Sequence, residues 1–289
     1  SLAVNVVDGE ETARIANAQV NAASVVDVDV TRGEVDIKTL AGNVQGGGSG
    51  AGAGAIAVST VNQRRQALIE NTALMLDSNS DVNVQAQTRA RIDTLALSGA
   101  GGGSVAAAVS STTNNIDAKT YARLVNVKGQ AGDVTVSADD ASTINSLAGG
   151  AAGAGSVAVG VSAAVNRIGN DIQATLIGAM DAERLNVRNL SLDARSNAVI
   201  RTASISAGVS GTAAGNVGSS VSLLNTNTLA SIDNGAWLRA ERNVAVQAFN
   251  SDVINSFAGV VAGSGNAAAA GAITVNLVES ETIGRIAGT

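Results

Sequence analysis

Apolar and polar residues alternate with a period of two through most of the chain. Val26, Val28 and Val30 are separated by Asp27 and Asp29, and Val157, Val159 and Val161 by Ala158 and Gly160. Such alternation places successive side chains on opposite faces of an extended strand. No stretch sustains the i, i+3, i+4, i+7 spacing of an amphipathic helix. Clusters of Gly, Asn and Asp, which turn a chain, separate the alternating segments. The pattern predicts an all-β protein.

The pattern also repeats. Ala13-Arg14-Ile15, Ala67-Leu68-Ile69, Ala122-Arg123-Leu124, Ala174-Thr175-Leu176, Ala230-Ser231-Ile232 and Gly284-Arg285-Ile286 are one phrase, recurring at steps of 54, 55, 52, 56 and 54 residues. A second marker, apolar-x-apolar, falls at Val28/Val30, Val82/Val84, Val134/Val136, Leu190/Leu192 and Val244/Val246. A third, a small or apolar pair before glycine, falls at Gly42, Gly99, Gly149, Gly208 and Gly259, with uneven steps that suggest insertions in loops. The markers divide the chain into repeats at 1–48, 49–103, 104–155, 156–215, 216–267 and 268–289. A repeat of this length stacks on its neighbours rather than closing a core alone, so the chain is expected to be one parallel β-helix (β-solenoid), continuous over residues 1–289 and part of a longer chain. The halves of each repeat resemble one another loosely, which predicts two coils of about 27 residues per repeat, with three shorter coils as the alternative.

The two halves differ in character. In one, polar residues occupy the outward positions, as at Asn186, Arg188, Ser191 and Asp193. In the other, both alternating sets are apolar or small: Val157, Val159 and Val161 against Ala158, Gly160 and Ala164. A strand dry on both faces is usually covered on both. These Gly/Ala strands are therefore expected to form an inner layer or a lateral contact with another chain.

Composition sharpens this picture. Hydrophobic residues make up 45% of the chain, yet the aromatic residues are only Tyr121, Trp237, Phe249 and Phe257. Apolar volume comes from Val, Ile, Leu and Ala, so the core must be thin. The chain has no Cys, His or Pro, which excludes Ser-His-Asp, thiol–imidazole and His-ligated metal chemistry. A net charge of −6 without a basic block argues against nucleic acid as a partner. Residues 257–275 lack charge, but Ser264, Asn266 and several glycines interrupt them, so no membrane span is expected in this segment.

Candidate sites are few. The Gly-rich runs at 46–54, 99–103 and 149–155 lack the GK[ST] ending of a phosphate loop and recur once per repeat, as turns do. Asp139 and Asp140 are adjacent in a strand and should point to opposite faces. Asp27/Asp29, Glu10-Glu11 and Glu279/Glu281 read as solvated carboxylates. No residue is expected to be catalytic, to bind a cofactor or to hold a metal. Asn5, Asn62, Asn115, Asn166, Asn225 and Asn276 end the long apolar strands and are expected to stack as a structural ladder of amides. Trp237 and Tyr121 are the candidate platforms for a glycan.

The phrase of a small-residue run, AVxVN, a polar bend, AxI, a turn, VxVxA and SLAG resembles the repeats of giant bacterial surface adhesins. These are the leukotoxin-A-family filamentous adhesins and, more distantly, the filamentous haemagglutinins. Residues 56–62, 134–149 and 157–176 carry the resemblance, which extends over essentially the whole chain. It implies a secreted or surface-displayed bacterial β-solenoid that acts structurally in adhesion, cell–cell contact or fibre assembly. It carries over no catalytic residues, and no enzyme activity is expected. Exposed sheet ends and small-residue faces favour self-association, end to end or laterally through the Gly/Ala strands, and cell-surface glycans or other cells are further expected partners. A carbohydrate-active or glycan-binding β-helix is the alternative.

Overall fold

The fold is described from a computed structural model, which describes residues 1–21, 24–31, 33–178, 184–233 and 235–287. All regular structure among these residues is β, and every strand pairing is parallel. The chain winds as a β-solenoid with three faces. The long face holds Leu2–Ala16, Gly50–Met75, Val105–Gln130, Val157–Ile177, Ala213–Asp233 and Ala267–Ile286. The short face holds Val25–Val30, Asp81–Thr88, Asp133–Asp140, Asn189–Ser196 and Val244–Asn250. The closing face holds Val35–Gly47, Ala90–Gly102, Thr143–Ala154, Val199–Ser210 and Val253–Ser264.

Each coil runs out along the long face, turns, and returns along the short and then the closing face. A glycine turn then starts the next long strand. The molecule is thus two layers thick, with the long face as one layer and the other two faces, end to end, as its partner. Ile56 pairs with Leu2, Ser111 with Ile56, Ala163 with Ser111, Ser219 with Ala163 and Ile273 with Ser219 in the long sheet, so one 52–56-residue repeat makes one coil. The expected two coils of about 27 residues are corrected by this register. The halves resemble each other because both line the same core, not because each closes a turn of its own.

The interior is a set of columns. Ile37, Ile92, Ile144, Ile200 and Ile254 stack on the closing face. Opposite them stand Val7, Val61, Ile116, Ile168 and Leu224 of the long face. Toward the short face the core is larger, with Ile69, Leu124 and Leu176 against Val82, Val84, Val134, Val136, Leu190 and Leu192. Toward the glycine turns it shrinks to alanines: Ala53, Ala100, Ala106, Ala108, Ala152 and Ala158. The cross-section therefore tapers to a thin edge. At that edge a Cβ added to Gly150 would lie 2.8 Å from the carbonyl oxygen of Val161 across the core, so the two backbones leave no room for a side chain.

Length variation is confined to one side of the coil. Closing strand and following long strand share the same step in each coil: 55 residues for Gly42 to Leu97 and Ile56 to Ser111, then 52, 56 and 54. The glycine turn between them never changes length. Its glycines stack: a Cβ on Gly103, Gly155, Gly211 or Gly265 would fall 2.0–2.4 Å from the carbonyl oxygen of the glycine one coil below. Insertions collect instead mainly at the turn from long to short face. Two markers are corrected accordingly. Val26 and Val28, not Val28 and Val30, pair with Val82 and Val84. Gly42, Leu97, Gly149, Ile205 and Gly259 share a column, whereas Gly99 and Gly208 lie further along their strands. The last two boundaries move to the turns at Gly211 and Gly265.

Candidate interaction surface

The small-residue set of the Gly/Ala strands faces inward: Ala158, Gly160 and Ala164 are buried against the closing face. The valine set faces out. Val105, Val109, Val157, Val159, Val165 and Val217 are 37–49% exposed. The outward columns on this half of the long face run from Gly50, Val105, Val157, Ala213 and Ala267 to Val6, Thr60, Asn115, Arg167, Leu223 and Leu277. Across these columns the only charged side chain is Arg167. The next two columns, which include Asp8, Asp117, Glu279, Glu10, Arg64, Lys119, Asp171 and Glu281, are heavily charged. One sheet thus has a dry half over the alanine core and a charged half over the larger core.

The opposite surface of the thin edge is also apolar but rougher. Leu40, Leu97, Ile205, Val209 and Phe257 protrude from the closing face, and a Cβ on Gly149 would lie 2.7 Å from the side chain of Leu97. Large side chains there lean over glycines of the adjoining coil. A shallow groove of about 1220 Å³ crosses this face over Leu95, Leu147 and Ala203, bordered by Asp93, Asn145 and Arg201 and ending at Phe257.

One row of polar groups inside the solenoid meets across the core. Thr39, Thr94, Ser146, Thr202 and Ser256 form a hydroxyl column opposite Asn5, Ser59, Asn114, Asn166 and Ser222. Asn114 Nδ2 donates to Asn166 Oδ1 at 2.7 Å, and Asn166 Nδ2 to Thr202 Oγ1 at 2.7 Å. The expected six-membered ladder is redistributed by this register. Asn5, Asn166 and Asn276 occupy the inner column, Asn62 and Asn225 an outward one beside Asp8 and Glu279, and Asn115 another outward one. Inward and outward residues differ by odd steps, so a drift of one to three residues in a sequence alignment exchanges the faces. A separate amide ladder went unread: Asn17, Asn71 and Asn126 have φ of 51°, 47° and 51°, and Asn126 Nδ2 donates to Asn71 Oδ1 at 2.9 Å. Asparagine tolerates this left-handed backbone, and the steps of 54 and 55 were the available signal.

Where the long strand meets the bend between short and closing faces lies a buried carboxyl. Asp140 is fully buried; its Oδ1 accepts from Asn170 Nδ2 at 2.5 Å and from the Ser142 amide at 3.1 Å. Asp140 Oδ2, Asn170 Oδ1 and Ser142 Oγ lack partners in the heavy-atom structure. Burial pushes this carboxyl up to about 7, with the charges of Asp139 and Asp252 acting in the same sense. A proton on this carboxyl supplies a donor where the unpartnered Asp140 Oδ2 and Asn170 Oδ1 are otherwise both acceptors. On the surface Arg188 spans three coils, donating to Asp133 at 2.7 Å and to Asp81 at 3.4 Å. Its guanidinium, with the Asn189 amide, holds the Asp133 carboxyl down at about 2.

The remaining candidates separate. Asp139 faces out and accepts from Gln87 at 3.0 Å, on the opposite side from Asp140. Glu10 and Glu11 lie near Arg64 and Arg65, Asp27 accepts from Asn83, and Asp29 caps Thr31. Among the described residues no three His, Cys, Asp or Glu side chains converge as a metal site, and no helix is long and apolar enough to cross a membrane. Residues 257–275 fold as parts of two strands joined by the Gly265 turn. Trp237 is 60% exposed with the Arg184 guanidinium over its ring. Tyr121 is buried under Arg123, and its hydroxyl donates to Asp171 at 2.6 Å. Burial and that carboxylate push the phenol upward. It is a rung of the fold and presents no open ring face.

No protein-family model, curated protein or solved structure matches the chain.

Proposed function

We propose that the chain is a structural repeat segment of a secreted or surface-displayed bacterial adhesin or extracellular filament. One observation carries this reading: the three sheets run from the first coil to the last in a single parallel stack, with no side domain among the described residues. Such a stack is stiff along its axis, and each coil adds the same faces again. One coil per repeat changes what the segment provides. It advances only about 4.8 Å per repeat while its long strands, of 15 to 26 residues, span about 50 to 85 Å. The segment therefore contributes breadth and stiffness more than reach. Electron microscopy of the native protein tests this: flat ribbons or stalks at the cell surface with a repeat of about 4.8 Å are expected. Isolated soluble particles that cleave a polysaccharide would overturn it.

The closing-face groove favours a second reading, a passive glycan-binding surface, because exposed Phe257 lines it together with Asn145, Asn255 and Arg201. Binding on a glycan array that Phe257→Ala abolishes is its test.

A further inference from the structure

We infer that a second copy of this chain docks on the dry half of the long face, the two outward valine surfaces packing sheet on sheet. The inference rests on the structural reading above and names the contact through which such segments associate.

Three observations lead to it. The first is size. Five strands with roughly eleven residues each at about 3.3 Å, spaced about 4.8 Å apart, and Leu2–Val6 of the first strand beside them give a surface of about 900 Å². Monomers rarely leave a contiguous apolar patch above about 600 Å², whereas a standard interface takes about 800 Å² from each partner. The second is shape. The outward residues are Gly, Ala, Val, Ile, Leu, Ser, Thr and Asn, with Arg167 as the one charge, so the face is flat and nothing on it selects a charged partner. The occupant must be equally flat, uncharged and ribbed at the strand spacing. The chain carries such a surface itself, and face-to-face sheets with small side chains interdigitate closely. The third is the boundary. Charges begin abruptly at the column of Asp8, Asp117 and Glu279, which gives the patch the polar rim of a protein interface. The closing face suits this worse because its large side chains already lean on neighbouring glycines.

Sedimentation equilibrium of the 289-residue chain tests the contact. A dimer is expected, and Val109→Lys with Val217→Lys, outward at the centre of the patch, should raise its dissociation constant at least about tenfold. Their melting temperature should stay near that of the parent. Should the lysines prevent folding, the isosteric Val→Thr pair at the same positions should still weaken the dimer several-fold. Leu97→Lys, on the closing face, should leave it intact. A parent chain monomeric across the micromolar range overturns the inference, as does a dimer indifferent to Val109 and Val217. Co-flotation of a monomer with phosphatidylcholine vesicles, lost in the lysine variant, would overturn it in favour of lipid. A monomeric chain within surface fibres would sink this inference alone; a dimer from a protein found elsewhere would sink only the structural reading.

Discussion

At Asp140 the interior of the solenoid holds a carboxyl that burial keeps protonated in mildly acid solution, up to about pH 7. Its folded value of about 7 lies above the ordinary carboxylate value, so the folded state binds the proton more tightly than the unfolded chain. The stability this contributes is complete below about pH 4 and is lost as pH rises through about 7. The melting temperature should therefore fall between mildly acid and alkaline buffer, and Asp140→Asn, which cannot ionise, should remove most of that fall. An unchanged slope in the variant would place the titration elsewhere. Glycine makes the other residue-scale test. Gly155→Ala drives a methyl to 2.2 Å from a carbonyl oxygen one coil below, whereas Gly52 has open space around its Cα. The first change should cost about 3 kcal/mol and the second should be near neutral. Urea melts of the two variants compare them directly. The opposite facing of Asp139 and Asp140 was legible in the sequence, but which of the pair is buried was not, and of the glycines only their recurrence was. The distinction between an obligatory and a dispensable glycine depends on which atom lies above it.

Strands fared better where large side chains mark the register. The phrase ending at Ile15, Ile69, Leu124, Leu176, Ile232 and Ile286 is one column of the long face, with the steps read from the sequence. Which set of the Gly/Ala strands faces inward was not legible, because both are apolar; the structure turns Ala158 and Ala164 in, where small residues suit a thin core. Registers failed where the marker was a small residue or a short alternation. Valine at every second position from 26 to 30 fits two registers equally, and only the neighbouring coil decides between them. The tapering core gives opposite responses at its two ends. Ile144→Ala, in the isoleucine column, should lose about 3 kcal/mol by leaving a cavity. Ala158→Leu, at the alanine end, should lose about 2 kcal/mol by overpacking a gap with no room. Both follow from denaturant midpoints, and tolerance of leucine at 158 would show the thin edge to be looser than its backbone approach implies.

Across the whole molecule, one coil per repeat decides everything about shape. Six long strands stacked at about 4.8 Å make a plate roughly 24 Å tall and about 50 to 85 Å wide. The same repeats wound as two coils each would give a body about twice as tall and half as wide. Repeat length was legible in the sequence, but the number of coils per repeat was not, since two facing strands of one coil and two successive coils share the same alternation. Broad faces rather than axial reach then become what a tandem array displays, and the dry half of the long face is the largest of these without charge. The deciding measurement uses the absence of cysteine. Asp8 and Glu279 are exposed and stand in one outward column, five coil steps apart. Nitroxide labels on Asp8→Cys and Glu279→Cys, read by pulsed electron resonance, should be separated by about 24 Å plus their linkers. A separation near 48 Å would mean two coils per repeat and contradict the account.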